Sequence, residues 1–147
     1  MDGAPSLKNN TKSNQSTQVL LDTNFLLLPF QRRFDIYEEI PRLIGRRVTF
    51  LVMPQILKEI EWLQENGKTR ERNAAKNALH LVYQNCQLVE NLPKSLQNLN
   101  ADRALLQYAK QINAIVATND GDLRRKLVKQ GSRAIFLRKL SVLALTE

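Results

Sequence analysis

Short apolar runs alternate along this chain with stretches of helical spacing, and that alternation limits the folds open to it. The runs are Val19-Leu20-Leu21, Val48-Thr49-Phe50-Leu51-Val52, Gln87-Leu88-Val89, Ala114-Ile115-Val116-Ala117-Thr118 and Ala134-Ile135-Phe136-Leu137. Brief runs of aliphatic and β-branched residues read as buried strands. Between them, apolar residues recur three or four positions apart. Phe34, Ile36, Tyr37, Ile40, Leu43 and Ile44 form one stripe, Ile56, Leu57, Ile60 and Leu63 a second, and Ala74, Ala75, Ala78, Leu79 and Val82 a third. The alternation predicts an α/β fold: a single-domain three-layer α/β/α sandwich whose central parallel sheet has about five strands.

At 147 residues the chain has the length of one domain. Residues 1–17 are rich in Asn, Ser, Thr, Gln and Lys and contain almost nothing apolar. They bury too little surface to offset the entropy of ordering, so a disordered tail is expected ahead of a domain spanning 18–147. Pro29 is expected to stop the apolar segment Phe25 to Phe30, and Pro41 to bend or interrupt the first long helix. Pro54 suits the first turn of the next helix, which Asn66-Gly67 ends. Asn91 to Leu99 reads as a loop, Asn100 as the cap of a helix from Ala101 to Gln111, and Gly121-Asp122 as the start of a helix running to Lys129. Trp62 is expected in the core and Cys86 as an inert buried thiol. Leu140 to Leu145 is too short to assign.

One cysteine, Cys86, and one histidine, His80, exclude a disulfide within the chain, a cysteine zinc cluster and a multi-histidine metal site. A bound metal therefore needs oxygen ligands, which suit Mg²⁺, Mn²⁺ or Ca²⁺. No apolar run approaches the ~20 residues of a membrane span, and no secretory pattern opens the chain. The expectation is a soluble cytoplasmic protein. The net charge of +8 attracts polyanions over long range.

Within this basic chain, acidic residues fall at strand ends and helix starts. Asp22 ends the first strand, Asp120 follows the fourth by two residues, Glu59 lies in the helix after the second, and Asp102 opens the helix before the fourth. Each has an ordinary explanation alone: a turn, a helix cap, a dipole partner, a solvated charge. A parallel sheet gathers all four at its carboxyl edge, where ligands bind in open α/β sheets. Carboxylates held together repel each other, and a divalent cation removes that cost.

The pattern of Val19 to Asn24, Pro54 to Glu59, Asp102 and Thr118-Asn119-Asp120-Gly121-Asp122-Leu123 resembles the PIN domain family of nucleases, from about Gln18 to about Leu140. The stretch Ala117 to Lys126 also resembles the stand-alone archaeal members and those that process small-subunit ribosomal RNA. The resemblance implies Mg²⁺- or Mn²⁺-dependent cleavage of RNA, with Asp22, Glu59, Asp102 and Asp120 as the catalytic acids and metal ligands. It makes Asp122 a further ligand, direct or through water, and gives Asn24 and Thr118 the task of orienting ligands. One departure is Arg103, where many relatives carry an acid, which favours one tight metal site and a second completed by substrate. Arg124, Arg125, Arg32, Arg33, Arg70 and Arg72 are candidates for RNA phosphate contacts, with Arg46, Arg47 and Lys126 behind them.

The resemblance leaves two settings open: processing of a ribosomal RNA precursor, or a toxin ribonuclease held by an antitoxin. It also implies a homodimer, for which the apolar Phe25, Leu26, Leu27, Leu28 and Phe30 offer a surface. Two rival classes are a non-catalytic RNA- or protein-binding module and a receiver-like phosphorylation domain.

Overall fold

A computed structural model describes residues 16–139 and 141–147. The expected tail therefore lies, up to residue 15, outside the described residues. The first strand, β1, spans Thr17–Leu21 and begins two residues before the expected Val19, because Thr17 N–H donates to Arg47 O at 2.9 Å. Two short helices follow, α1 (Thr23–Leu26) and α2 (Leu28–Arg32), then α3 (Ile36–Ile44) and β2 (Val48–Val52). An antiparallel helix pair, α4 (Pro54–Asn66) and α5 (Thr69–Asn85), leads into β3 (Cys86–Leu88). After α6 (Lys94–Gln97) come α7 (Ala101–Ile112), β4 (Ile115–Ala117), α8 (Gly121–Lys129), β5 (Ala134–Lys139) and β6 (Val142–Leu145).

The sheet order is β3-β2-β1-β4-β5-β6. The first five strands are parallel, and β6 adds an antiparallel edge that the sequence left unassigned. Right-handed crossovers put α3 and α5 on one face and α7 and α8 on the other. The chain reverses its direction of travel across the sheet between β1 and β4. That switch point opens a crevice at the carboxyl edge, and Asp22 and Thr118 stand at its two sides.

Local chemistry fixes the ends of the helices. Asp35, Asn100 and Asp120 accept from backbone N–H groups in the first turns of α3, α7 and α8. Gly45 ends α3 at φ +73°, a conformation that favours glycine. Pro29 does not stop a helix. The break falls at Leu27, and Pro29 occupies the first turn of α2, where its missing N–H costs nothing. Pro41 does not interrupt α3 either. Ile36 and Ile40 on that helix are fully buried, and their burial, roughly 1.5–3 kcal/mol each, offsets the lost hydrogen bond. The expected loop from Asn91 to Leu99 contains α6, a single turn anchored by fully buried Leu96.

Trp62 is not in the core; it is 60% exposed. Ile56 and Ile60 point α4 inward, and Trp62 lies about 200° around the helix from Ile60. Most of the apolar surplus near Phe25 is consumed by the chain's own core. Phe25, Leu26 and Leu28 are buried, leaving Leu27 part-exposed and Phe30 exposed. Cys86 is half-buried, its thiol donates to Tyr37 Oη at 3.7 Å, and burial pushes its pKa up to about 11. That keeps it protonated and unreactive. Among the described residues, no helix is long and apolar enough to cross a membrane.

Candidate active site

Asp22 is the centre of the carboxyl-edge crevice. It is 6% exposed and serves as N-cap of α1. Its Oδ1 accepts from Thr23 N–H at 2.8 Å. Its Oδ2 accepts from the Thr118 hydroxyl at 2.6 Å and from Asn24 Nδ2 at 3.3 Å. Thr118 is fully buried, and its Oγ1 also accepts from Asp120 N–H at 3.0 Å. One hydroxyl thus fixes Asp22 and the backbone of Asp120 to each other.

Asp120 caps α8: its Oδ1 accepts from Asp122 N–H at 2.9 Å and Leu123 N–H at 3.1 Å. Its Oδ2 has no hydrogen-bond donor among the described residues. Glu59 is exposed on α4 and accepts a hydrogen bond from the Thr23 hydroxyl, which draws it toward β1. Asp102 lies in the first turn of α7. Gln55 holds that helix in place: its Nε2 donates to Leu96 O at 2.9 Å and Leu99 O at 3.3 Å, just before the Asn100 cap. Gln55 and Glu59 are one turn apart on α4, so the helix that carries Glu59 also anchors the approach to α7.

The charges act on one another. Burial, and then the charges of Asp102 and Glu59, push the Asp22 carboxyl above its ordinary range. The hydrogen bonds from Thr118 and Thr23 pull the other way without cancelling that rise. Asp102 is raised too, by burial and then by Asp120, against a smaller opposing effect of Lys126. Asp22 thus lies within the fields of Asp102 and Glu59, and Asp102 within that of Asp120. They do not close into a cage: among the described residues, no three acidic, cysteine or histidine side chains form a ready-made metal site.

Asp122 stands apart. Its side chain is 80% exposed and pairs with Arg125. Asn24 does more than hold Asp22, since its Oδ1 accepts from Asn119 N–H at 3.0 Å. Asn119 in turn accepts from Leu137 N–H at 2.8 Å, tying β5 to the site. Thr23, Gln55 and Asn119 are positioning residues that the sequence reading missed. All three lie within or beside the acidic motifs, but nothing in their spacing marks their distant partners.

The arginines divide. Arg124 stacks on Phe136, its guanidinium 4.3 Å from the ring centre. Arg70, with Leu27, Phe30 and Leu63, lines a groove between α2 and α5, and Arg72 follows it on α5. Arg33 is exposed just after α2, in a left-handed conformation at φ +50°. Arg46 and Arg47 precede β2 and so sit at the amino edge, a strand length from Asp22. His80 is exposed beside Gln84 on α5 and takes no part in the site.

Residues 19–140 match the PIN like domain family. Ribonuclease VapC4 of Methanocaldococcus jannaschii is 31% identical over 125 residues, covering 83% of this chain and 91% of that protein. Ribonuclease VapC9 of Archaeoglobus fulgidus is 25% identical over 128 residues, covering 87% and 88% respectively. Among solved structures, the PIN domain endonuclease Utp24 superposes with a TM-score of 0.71 at 21% identity, over 87% of this chain and 90% of that one.

Proposed function

Because this chain belongs to the PIN-like domain family, we propose that it is a metal-dependent endoribonuclease acting on single-stranded RNA. The observation that carries the reading is the coupling of Asp22, Glu59, Asp102 and Asp120 at the switch-point crevice. Among the described residues, no lysine or arginine forms an ion pair with any of the four. Both relatives named above are called ribonucleases, which agrees with an RNA substrate.

The donor set fits Mg²⁺ or Mn²⁺. It is made only of oxygens, its charges repel, and its open layout suits an ion that keeps several waters and takes few carboxylates. Asp22, Asp102, Asp120 and Glu59 are the residues that would hold it, with Asp122 available through water. A divalent cation held there would supply a water of lowered pKa and would withdraw charge from a phosphoryl oxygen. The chain's own residues prepare the place. Thr118 and Thr23 hold Asp22 in one orientation, the α8 cap holds Asp120, and Thr23 holds Glu59. Fixed ligands of this kind avoid the cost of organising them during the reaction.

The biological setting is the processing of a ribosomal RNA precursor or, alternatively, the role of a toxin ribonuclease held by an antitoxin. Cleavage of a labelled single-stranded RNA, with Mn²⁺ and with EDTA, tests the activity. Cleavage by the parent protein that stops in EDTA and in Asp22→Asn supports the proposal. Undiminished cleavage in either case would sink it.

A further inference from the structure

β5 carries an irregularity beside the crevice. Its pairing with β6 sets Leu137 opposite Leu143 and Lys139 opposite Val142. Two steps on β5 thus face one step on β6, and Arg138 is the extra residue of a β-bulge. A regular strand sends successive side chains to opposite faces. Here Leu137, Arg138 and Lys139, three residues in a row, line one cleft of about 730 Å³. The bulge interrupts that alternation at Arg138. Arg32, in the last turn of α2, closes the cleft from across the crevice with Ser141 and Val142.

The cleft has a single sign of charge. Arg32, Arg138 and Lys139 are exposed, and no described acidic residue pairs with them. It is also tied to the acidic site. Leu137 N–H donates to Asn119 Oδ1, Asn119 N–H donates to Asn24 Oδ1, and Asn24 Nδ2 donates to Asp22 Oδ2. Two asparagine side chains therefore fix where the bulge sits relative to Asp22. Three cations focused in a cleft beside a catalytic edge raise the local concentration of a polyanion.

We propose that Arg32, Arg138 and Lys139 form a track for the phosphodiester backbone of the RNA strand as it passes the acidic site. This rests on the reading of RNA as substrate. Contacts to phosphates alone position a strand and carry no sequence preference. The aliphatic wall of Leu137 and Val142 adds no ring on which a base stacks. Of the three cations, only Arg32 was foreseen in the sequence. The amino-edge pair Arg46 and Arg47 is the natural control, being basic, exposed and remote.

The experiment measures binding of a fluorescent single-stranded RNA by anisotropy, in Mg²⁺ and over a salt series, in an Asp120→Asn background that prevents turnover. Combined Arg32→Ala, Arg138→Ala and Lys139→Ala should weaken binding at least tenfold. The slope of log affinity against log salt should fall by about 2, since each phosphate contact to a single strand contributes about 0.7. Arg138→Lys should restore its share, whereas Arg46→Ala with Arg47→Ala should change neither number. An unchanged slope in the triple variant, or an equal loss in the Arg46/Arg47 control, overturns the track. If the parent protein neither binds nor cleaves RNA, the functional reading fails and takes this occupant with it. If it cleaves normally while the triple variant binds normally, the track alone is wrong.

Discussion

The Thr118 hydroxyl donates to Asp22 Oδ2 at 2.6 Å across a separation of 96 residues. Both groups are buried, so the bond is shielded from competing water. It closes the switch point between β1 and β4.

Thr118→Val keeps the shape and removes the donor. The buried Asp22 carboxylate then loses a partner, which costs about 1–3 kcal/mol. A domain of this size should melt lower by roughly 2–8 °C for each of those kcal/mol. Mn²⁺ affinity should fall about 10- to 100-fold, as for other residues that orient ligands. Thr118→Ser should recover most of both losses. Wild-type metal binding and melting in Thr118→Val would show that the bond orients nothing.

Asp120→Asn should stabilise the protein in the absence of metal. Asparagine caps a helix about as well as aspartate, so the α8 N-cap survives. The change removes a charge that acts on Asp102. A metal that binds only the folded site adds about 2.7 kcal/mol at a hundredfold excess over Kd, and this gain should shrink in the variant. Melting curves with and without Mn²⁺ decide the matter. A variant that melts clearly lower without metal, yet responds fully to Mn²⁺, contradicts a clustered site.

The pH dependence follows from Asp22 and Asp102. Both carboxyls are raised above the ordinary value of 3.8, so the folded chain binds their protons more tightly than the unfolded chain does. Their contribution to stability must rise as pH falls from neutrality through the raised values, and it levels off below 3.8. Asp22→Asn should flatten that part of the curve. Saturating Mn²⁺ should reverse its sign, because protons then compete with the metal for the carboxylates. A metal-free protein that loses stability over the same acid range in an Asp22-dependent way would refute the shift.

Trp62 and Leu105 provide a paired test of the packing. Trp62 is exposed and Leu105 is fully buried on α7. Trp62→Ala should change stability by no more than about 0.5 kcal/mol, the usual range for surface sites. Leu105→Ala should cost about 2–5 kcal/mol. Denaturant melts of the two variants measure the contrast, and comparable losses would place Trp62 in a buried contact.

Strand and helix order were legible because each depends on side chains only a few residues apart. Val19-Leu20-Leu21 and Ala114 to Thr118 declared buried strands by their composition, and Asn100 declared its helix by the cap it provides. The candidate acids were legible for a related reason: a parallel sheet delivers strand ends to one edge, whatever its strand order. Trp62 misled because its own hydrophobicity says nothing about which way α4 faces. The prolines misled because their cost is local, whereas the burial that outweighs it at Pro41 is not.

The sequence by itself determined the α/β class and the parallel core, because periodicity and capping are written in neighbouring residues. Only the tertiary structure decided that β1 and β4 are adjacent, and therefore that Thr118 meets Asp22. It also decided that Gln55 anchors the approach to Asp102, that Asn119 bridges Asn24 to Leu137, and that Arg32 shares a cleft with Arg138 and Lys139. These relationships join residues far apart in the chain. They arise from which strands pair and in what register, and pairing is settled by burial of the whole core, not by any one segment.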